Sequence, residues 1–211
     1  MELAFGGPIR GVDEVLGSIS DVVVDPAAKR VTHLIVRHRP DEIERLVPVE
    51  LVEPAEPGAR LVVEPERLAE CKPVREFAYL QSGEFPAPDA ESDIGVEDAV
   101  PVGDFAASPF DGYGTGYSSS TAISYDRVPK GEIELRRSSD VEAVDGHRLG
   151  HLVALEIDER WTITQVVLEH GHLWGTRDVA VPVVAVGELE TDLVRLTIGK
   201  HALSALPSTK P

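Results

Sequence analysis

Two stretches of this chain, one near each end, carry the same pattern, and that duplication limits the possible folds more than any other property of the sequence. The first copy starts at Leu16-Gly17, runs through an apolar-alternating stretch to Asp25, and continues through VTHLIV (Val31 to Val36), Val47-Pro48-Val49, Leu61-Val62-Val63 and Leu68. The second starts at Leu149-Gly150 and continues through Asp158, ITQVVL (Ile163 to Leu168), Val181-Pro182-Val183, Leu196-Thr197-Ile198 and Leu203. Eight residues lead from the glycine to the aspartate in both copies, and seven lead from Leu61 to Leu68 and from Leu196 to Leu203. Two copies of one pattern imply two copies of one small fold. The 211 residues therefore divide into 1–73, a connecting segment 74–131, and 132–211. Units of about 70 residues bury a low fraction of their surface and are marginal alone. The two are expected to pack against each other within the chain or across a homodimer.

Each copy reads as short strands separated by turns. VTHLIV and ITQVVL are rich in β-branched residues and bounded by polar stretches, the pattern of a strand buried on at least one face. Asp25-Pro26 and Asp158 mark turns, where an aspartate accepts hydrogen bonds from nearby backbone amides. The polar stretches RHRPDEIER and EHGHLWGTRD are short enough to be hairpin connections, with Val-Pro-Val opening the next strand. Proline cannot donate to a ladder, so Pro48 and Pro182 belong at a strand start or a sheet edge. PERLAECK and KHALSALP read as short helical turns closed by Pro73 and Pro207. Many short strands and almost no helical periodicity predict a mainly β fold of small barrels with little helix.

The middle differs in composition. Residues 82–131 are rich in Pro, Gly, Ser and acidic side chains, and little there buries apolar surface with a regular period, so the segment reads as loop or linker. It also holds Phe77, Tyr79, Phe85, Phe105, Phe110, Tyr113, Tyr117 and Tyr125 within or beside it. A free linker rarely carries so many rings, and parts of it are expected to be pinned by them.

Charge narrows the function. The chain carries 20 Lys and Arg against 37 Asp and Glu, a formal net charge of −17, and none of its three segments is basic. Nucleic-acid binding rests on neutralising phosphates, so direct binding is not expected. The same argument weighs against an anionic membrane surface. The single Cys71 rules out an intramolecular disulfide and a Cys-rich zinc site and fits a reducing compartment. It stands where the other copy has Leu206, as a small buried hydrophobe. No secretory signal is visible and apolar runs reach only about six residues, far short of a span, so a soluble cytoplasmic chain is expected.

The ordered set Leu16-Gly17 to Asp25-Pro26, VTHLIV and Val47-Pro48, with Val144-Asp145-Gly146-His147-Arg148-Leu149-Gly150, Asp158, ITQVVL, Gly171-His172-Leu173-Trp174-Gly175 and Val181-Pro182, resembles the PRC-barrel family. That family is named for the cytoplasmic domain of the photosynthetic reaction-centre H subunit and includes the C-terminal domain of the ribosome-maturation factor RimM. The resemblance covers about two thirds of the chain and implies a binding scaffold with no catalytic residues. It points to a non-enzymatic module that binds or assembles with a protein partner. The alternatives are a RimM-like ribosome-maturation accessory acting through a ribosomal protein, or a photosynthetic or electron-transfer accessory. The N-terminal RNA-processing module of RimM and the transmembrane helix of the H subunit are both absent here, so neither function carries over whole.

No catalytic residue, cofactor site or metal site is expected. His170 and His172 are two apart, which is too few ligands for a metal without a distinct third. The Gly-rich tract lacks the Gly-Lys-Ser/Thr ending of a phosphate loop. Arg136-Arg137 reads as a salt-bridged strand edge, and Trp161 as core or rim packing. Partner contacts are expected at edge strands and at Phe110, Tyr113, Tyr117 and Trp174. The charge argument is directly testable: with a screening length of about 8 Å at 0.15 M ionic strength, electrophoretic mobility shifts with RNA and DNA should give no dissociation constant below about 1 μM. Tighter binding in that buffer would overturn the exclusion.

Overall fold

The computed structural model describes residues 1–56, 58–80, 98–100, 121–172 and 175–206. The chain forms two compact units, Met1–Pro73 together with Gly131–Pro211, and Val74–Lys130. Among the described residues no helix is long and apolar enough to cross a membrane.

The larger unit is mainly β and contains both copies of the repeat. It opens with β1 (Glu2–Ala4), followed in copy one by β2 (Pro8–Arg10), β3 (Val15–Asp25), β4 (Arg30–His38), β5 (Glu44–Pro48), a 3-10 turn at Val49–Leu51, β6 (Val52–Pro54), β7 (Ala59–Leu61) and helix α1 (Glu66–Glu70). The middle unit supplies β8 (Arg75–Leu80), β9 (Asp98–Val100) and β10 (Thr121–Asp126). Then come β11 (Ile133–Arg136) and, in copy two, β12 (Asp140–Glu142), β13 (Arg148–Ile157), β14 (Ile163–His172), β15 (Gly175–Pro182), a 3-10 turn at Val183–Ala185, β16 (Val186–Glu190), β17 (Leu193–Leu196) and α2 (Lys200–Ser204). The two sheets repeat one order, β5-β4-β3-β2-β7-β6 and β15-β14-β13-β12-β17-β16, each with a seventh strand off that path.

The seventh strand comes from the other copy. β11 runs antiparallel to β3, with Leu135 opposite Val22, and β1 runs antiparallel to β13, with Leu3 opposite Leu155. Each long strand is thus flanked along one side by two short strands in succession. Ile9 of β2 lies opposite Gly17, and β11 takes over from Asp21 to Val24; Val141 of β12 lies opposite Gly150, and β1 takes over from Ala154 to Glu156. The copies expected as separate domains, 1–73 and 132–211, therefore interdigitate. They share one hydrophobic core that includes Leu3, Ile9, Val22 and Leu34 from one end of the chain and Leu135, Leu152, Leu155 and Leu168 from the other.

The repeated residues have local reasons. A Cβ on Gly17 would stand 2.3 Å from the Arg37 carbonyl oxygen, and one on Gly150 would stand 1.9 Å from that of Glu169, so the long strand crosses its neighbour only where no side chain intervenes. Asp25 Oδ1 accepts the amides of Ala27 and Ala28, each at 2.9 Å, and Asp158 Oδ1 accepts those of Arg160 at 2.8 Å and Thr162 at 2.9 Å. The two turns then join. The Val31 amide donates to the Trp161 carbonyl and the Ile163 amide to that of Lys29, both at 2.9 Å. Lys29 and Trp161 hold positive φ, +50° and +64°, to present those carbonyls. Leu68 of α1 and Leu203 of α2 are fully buried.

Three expectations need correction. Val-Pro does not open a strand: β5 ends at Pro48 and β15 at Pro182, and a 3-10 turn follows each. The ring fixes φ near −58° and −56°, and the missing N–H removes the next ladder bond. Both are end strands of their sheets, as the proline requires. The polar stretches do join antiparallel neighbours, β4 to β5 and β14 to β15, but the connections are shorter than read, because β4 continues to His38 and β14 to His172. The middle is also more than linker, since β8, β10 and β9 form an antiparallel sheet in that order with Ala78 opposite Ile123. REFAYL and TAISYD show no strict alternation of polar and apolar residues, and each spans only six positions beside a polar background, so neither registers as a strand by period.

A three-residue strand at a chain end would ordinarily fray. Here Leu3 is 1% exposed and sits in the shared core. Leu3→Ala should therefore lower the stability of the whole unit by about 2–5 kcal/mol, read as a single shifted transition in chemical denaturation. A loss of only a few tenths would mean that β1 is dispensable.

Candidate functional site

The proposed contact residues Phe110, Tyr113, Tyr117 and Trp174 lie outside the described residues, so the surface has to be sought elsewhere. One end strand, β5, is less available than its place in the order suggests. The outer side of β5 is bridged by the segment after α1, with the Leu46 amide donating to the Lys72 carbonyl at 2.9 Å and Arg45 paired with Pro73.

The titratable clusters are mostly structural. Arg136 makes a two-pronged pair with Glu134, Nε to Oε1 at 3.0 Å and Nη2 to Oε2 at 2.8 Å, and its Nη1 reaches Asp192 at 2.9 Å. Glu134 is only 3% exposed, and these bonds raise the Arg136 pKa. Ser139, fully buried, accepts the Arg136 amide at 2.8 Å. Ahead of β11, Glu132 accepts a hydrogen bond from Thr32 of β4. The Thr32–Glu132 bond fastens the start of the exchanged strand to copy one, while the Arg136 pairs brace its end against Asp192 of its own copy. A shallow cleft of about 450 Å³ beside them is lined by Arg136, Arg137, Arg148 and His151, but Asp21 lines it too. Asp140 pairs with Arg148 at 2.6 Å. Two of its three arginines are thus matched by carboxylates, and the salt-bridged strand-edge reading fits Arg136, the last residue of β11.

His38 is 7% exposed, and its Nδ1 lies 3.0 Å from Asp41 Oδ1. Arg45 bonds the other carboxylate oxygen, while its Nη1 donates to the Cys71 carbonyl at 2.9 Å. Partial desolvation pulls the Asp41 pKa upward, but bonds from Arg45, the Ile43 amide and His38 together hold it at about 2. The cluster ties the β4–β5 connection to the end of α1. Cys71 is half-buried, its thiol donates to the Arg67 carbonyl at 3.3 Å, and burial raises its pKa. It packs against the core, as Leu206 does in the other copy. Trp161 is 7% exposed within the core. His170 donates from Nδ1 to the Leu149 carbonyl. Among the described residues no group of three or more His, Cys, Asp and Glu is placed to hold a metal.

The internal repeat offers another way to find a surface, because it aligns the chain with itself. The structure fixes that alignment: the Gly11 amide donates to the Glu14 carbonyl across the tip Val12-Asp13, as the Ala143 amide does to that of His147 across Val144-Asp145-Gly146, which is one residue longer. Glu53 lies opposite Arg60, as Glu188 lies opposite Arg195. Identical residues at buried positions follow from the shared core. Identical residues at positions exposed in both copies do not. Those identities are Val12 and Val144, Asp13 and Asp145, Glu53 and Glu188, and Arg60 and Arg195.

All of them gather in one region of each copy, the turn after the first strand and the edge formed by the last two. The region is continuous because β2 pairs with β7, and β12 with β17, in parallel. Val12 is 93% exposed and Val144 67% exposed. Arg60 donates to Glu53 at 3.2 Å, and Arg195 to Glu188 at 3.2 Å. In copy two these residues border a cleft of about 500 Å³, with Glu142, Ala143, Val144, Glu188, Arg195 and Thr197 in its lining. The Val-Asp tips are legible in the sequence, but only burial separates them from identities that the core explains.

No protein-family model matches this sequence, and none of the curated proteins matches it.

The Asp41 cluster makes a prediction with a definite sign. A carboxylate at about 2 in the folded state, against about 3.9 unfolded, contributes stability that is complete above the unfolded value and is lost as pH falls through the folded one. Asp41→Asn should therefore lower the melting temperature at neutral pH, and the gap to wild type should close as the pH approaches about 2. A gap that stayed constant down to that pH would show that the carboxylate's charge is not what holds the loop.

Proposed function

We propose that this chain is a non-enzymatic, cytoplasmic protein-binding or assembly module on a PRC-type barrel scaffold, and that it binds through the turn-and-edge surface displayed once by each copy. One observation carries the reading. Among the described residues, the side chains that the two copies share at positions exposed in both all fall on that surface; the Arg–Glu pairs brace the strands there, but Val12 and Val144, 93% and 67% exposed, are kept for no reason that the core supplies. An exposed valine beside an acid and an Arg–Glu pair offers an apolar contact ringed by charges of both signs. That is the composition of a binding patch with a small apolar centre and a polar rim.

The test is paired crosslinking and capture from the native cell with wild type and with the variant Val12→Asp, Val144→Asp. Both valines are exposed, so folding stability should change by no more than about 0.5 kcal/mol. Proteins captured by wild type should be lost, by about tenfold or more, from the variant, as expected for charges placed in an interface. Capture of the same proteins at the same level by both would remove this surface from consideration.

A further inference from the structure

The contacts that hold the two copies together do not run through the segment that joins them in sequence. β1 lies along β13 from Glu2 to Ala4, and β11 lies along β3 from Ile133 to Arg136. The turns of the two copies bond each other, with Arg30 bridged to Thr162. Lys29 donates to the Val183 and Val186 carbonyls, and the apolar core is common to both copies. Residues 74–130, by contrast, form a unit of their own. Its strands pair among themselves in the order β8-β10-β9, so both seven-stranded sheets are complete from strands outside it. Its two ends also meet. Arg75 lies opposite Asp126, and the Arg127 amide donates to the Val74 carbonyl at 2.8 Å.

We propose that the seam between the copies is an obligate interface that needs no covalent link, and that residues 74–130 are an insert between its two halves with no part in holding them. The partner that fits each copy is the other copy. A like copy fits the first one worse. Arg30 and Thr162 occupy equivalent places in the repeat and face each other, so two first copies would set Arg30 against Arg30, and like charges directly opposite destabilise a pair. What the link contributes is an effective concentration, on the order of mM, and the exchanged strands and shared core supply the rest. Each copy on its own would lack the strand that completes its sheet, so dissociation and unfolding become one event, as in an obligate dimer. This inference stands apart from the surface proposed for binding a partner.

A protease site placed between Gly114 and Thr115 of the full chain lets the link be cut after folding. The cut chain should elute as one particle with the mass of the whole at about 1 μM. Its melting temperature should rise with concentration, whereas that of the uncut chain should not. Cutting there leaves β8 paired with β10, so the same cut is made in the double variant Ile123→Pro, Ser124→Pro. β10 is the middle strand of its sheet, and successive amides point to opposite neighbours, so one of the two prolines removes a donor to β8. This variant should also stay whole when cut. Leu3→Ala acts on the seam instead, and should weaken association of the cut pieces by about thirtyfold or more, the equilibrium counterpart of a Leu→Ala loss in a core. Circular dichroism before cutting shows whether each variant is folded; Lys29→Met, which removes only the bonds to Val183 and Val186, replaces Leu3→Ala if that variant is not. Separation of the pieces in the cut proline variant, or association unchanged by the seam substitution, would overturn the proposal.

Discussion

Everything in the larger unit depends on the exchange of two short strands. Alone, β3 would lie paired on one side only as far as β2 reaches, leaving Asp21 to Val24 with an open ladder, and β13 would be in the same position from Ala154 to Glu156. β11 and β1 fill those gaps, and because each belongs to the other copy, neither sheet completes without both ends of the chain. The core follows suit. Leu3 and Leu135 are both buried within one cluster rather than in two. A small unit that could not bury enough apolar surface by itself obtains it from its twin, which is how repeated elements generally reach stability.

The exchange also determines which groups are used up. Arg136, Glu134, Asp192 and Ser139 look in sequence like part of a charged surface, yet they anchor β11. Lys29 reaches into the other copy, where its ammonium donates to the Val183 and Val186 carbonyls at the 3-10 turn. The turns carrying Asp25 and Asp158 are bonded to each other through Lys29 and Trp161. The surface beside the exchanged strands is therefore committed to holding the copies together. The turn tips at Val12 and Val144, and the Arg–Glu edges beside them, are not.

Much of this architecture was legible in the sequence because its carriers are periodic or stereochemically exacting. Leu-Gly, the turn aspartates, VTHLIV with ITQVVL, and Leu68 with Leu203 each stand for a constraint that only a few residue types meet. The direction of the chain at Val-Pro was not legible, since a missing N–H forbids continuation without saying on which side the strand lies. The exchanged strands escaped for a different reason. Glu2-Leu3 and Glu134-Leu135 repeat one another upstream of Leu-Gly, but three or four residues carry too little periodicity to register. Their partners are also remote in sequence, with Leu3 opposite Leu155 and Leu135 opposite Val22. The contact aromatics expected in the middle and at Trp174 lie outside the described residues, and the turn-and-edge surface needed burial as its filter.

A duplicated chain carries two kinds of information about its surface. Where the copies agree at exposed positions, as at Val12 and Val144, the agreement marks a requirement outside the fold, because exposed sites far from special features tolerate most substitutions. Where they disagree within such a patch, the disagreement shows how the two patches differ in use. Arg10 and Glu142 occupy one position in the architecture, each in parallel register with an arginine that the copies have in common. The exposed Asp13 and Glu14 beside Arg10 offset its charge, so the two patches differ in which residues carry charge more than in its sign.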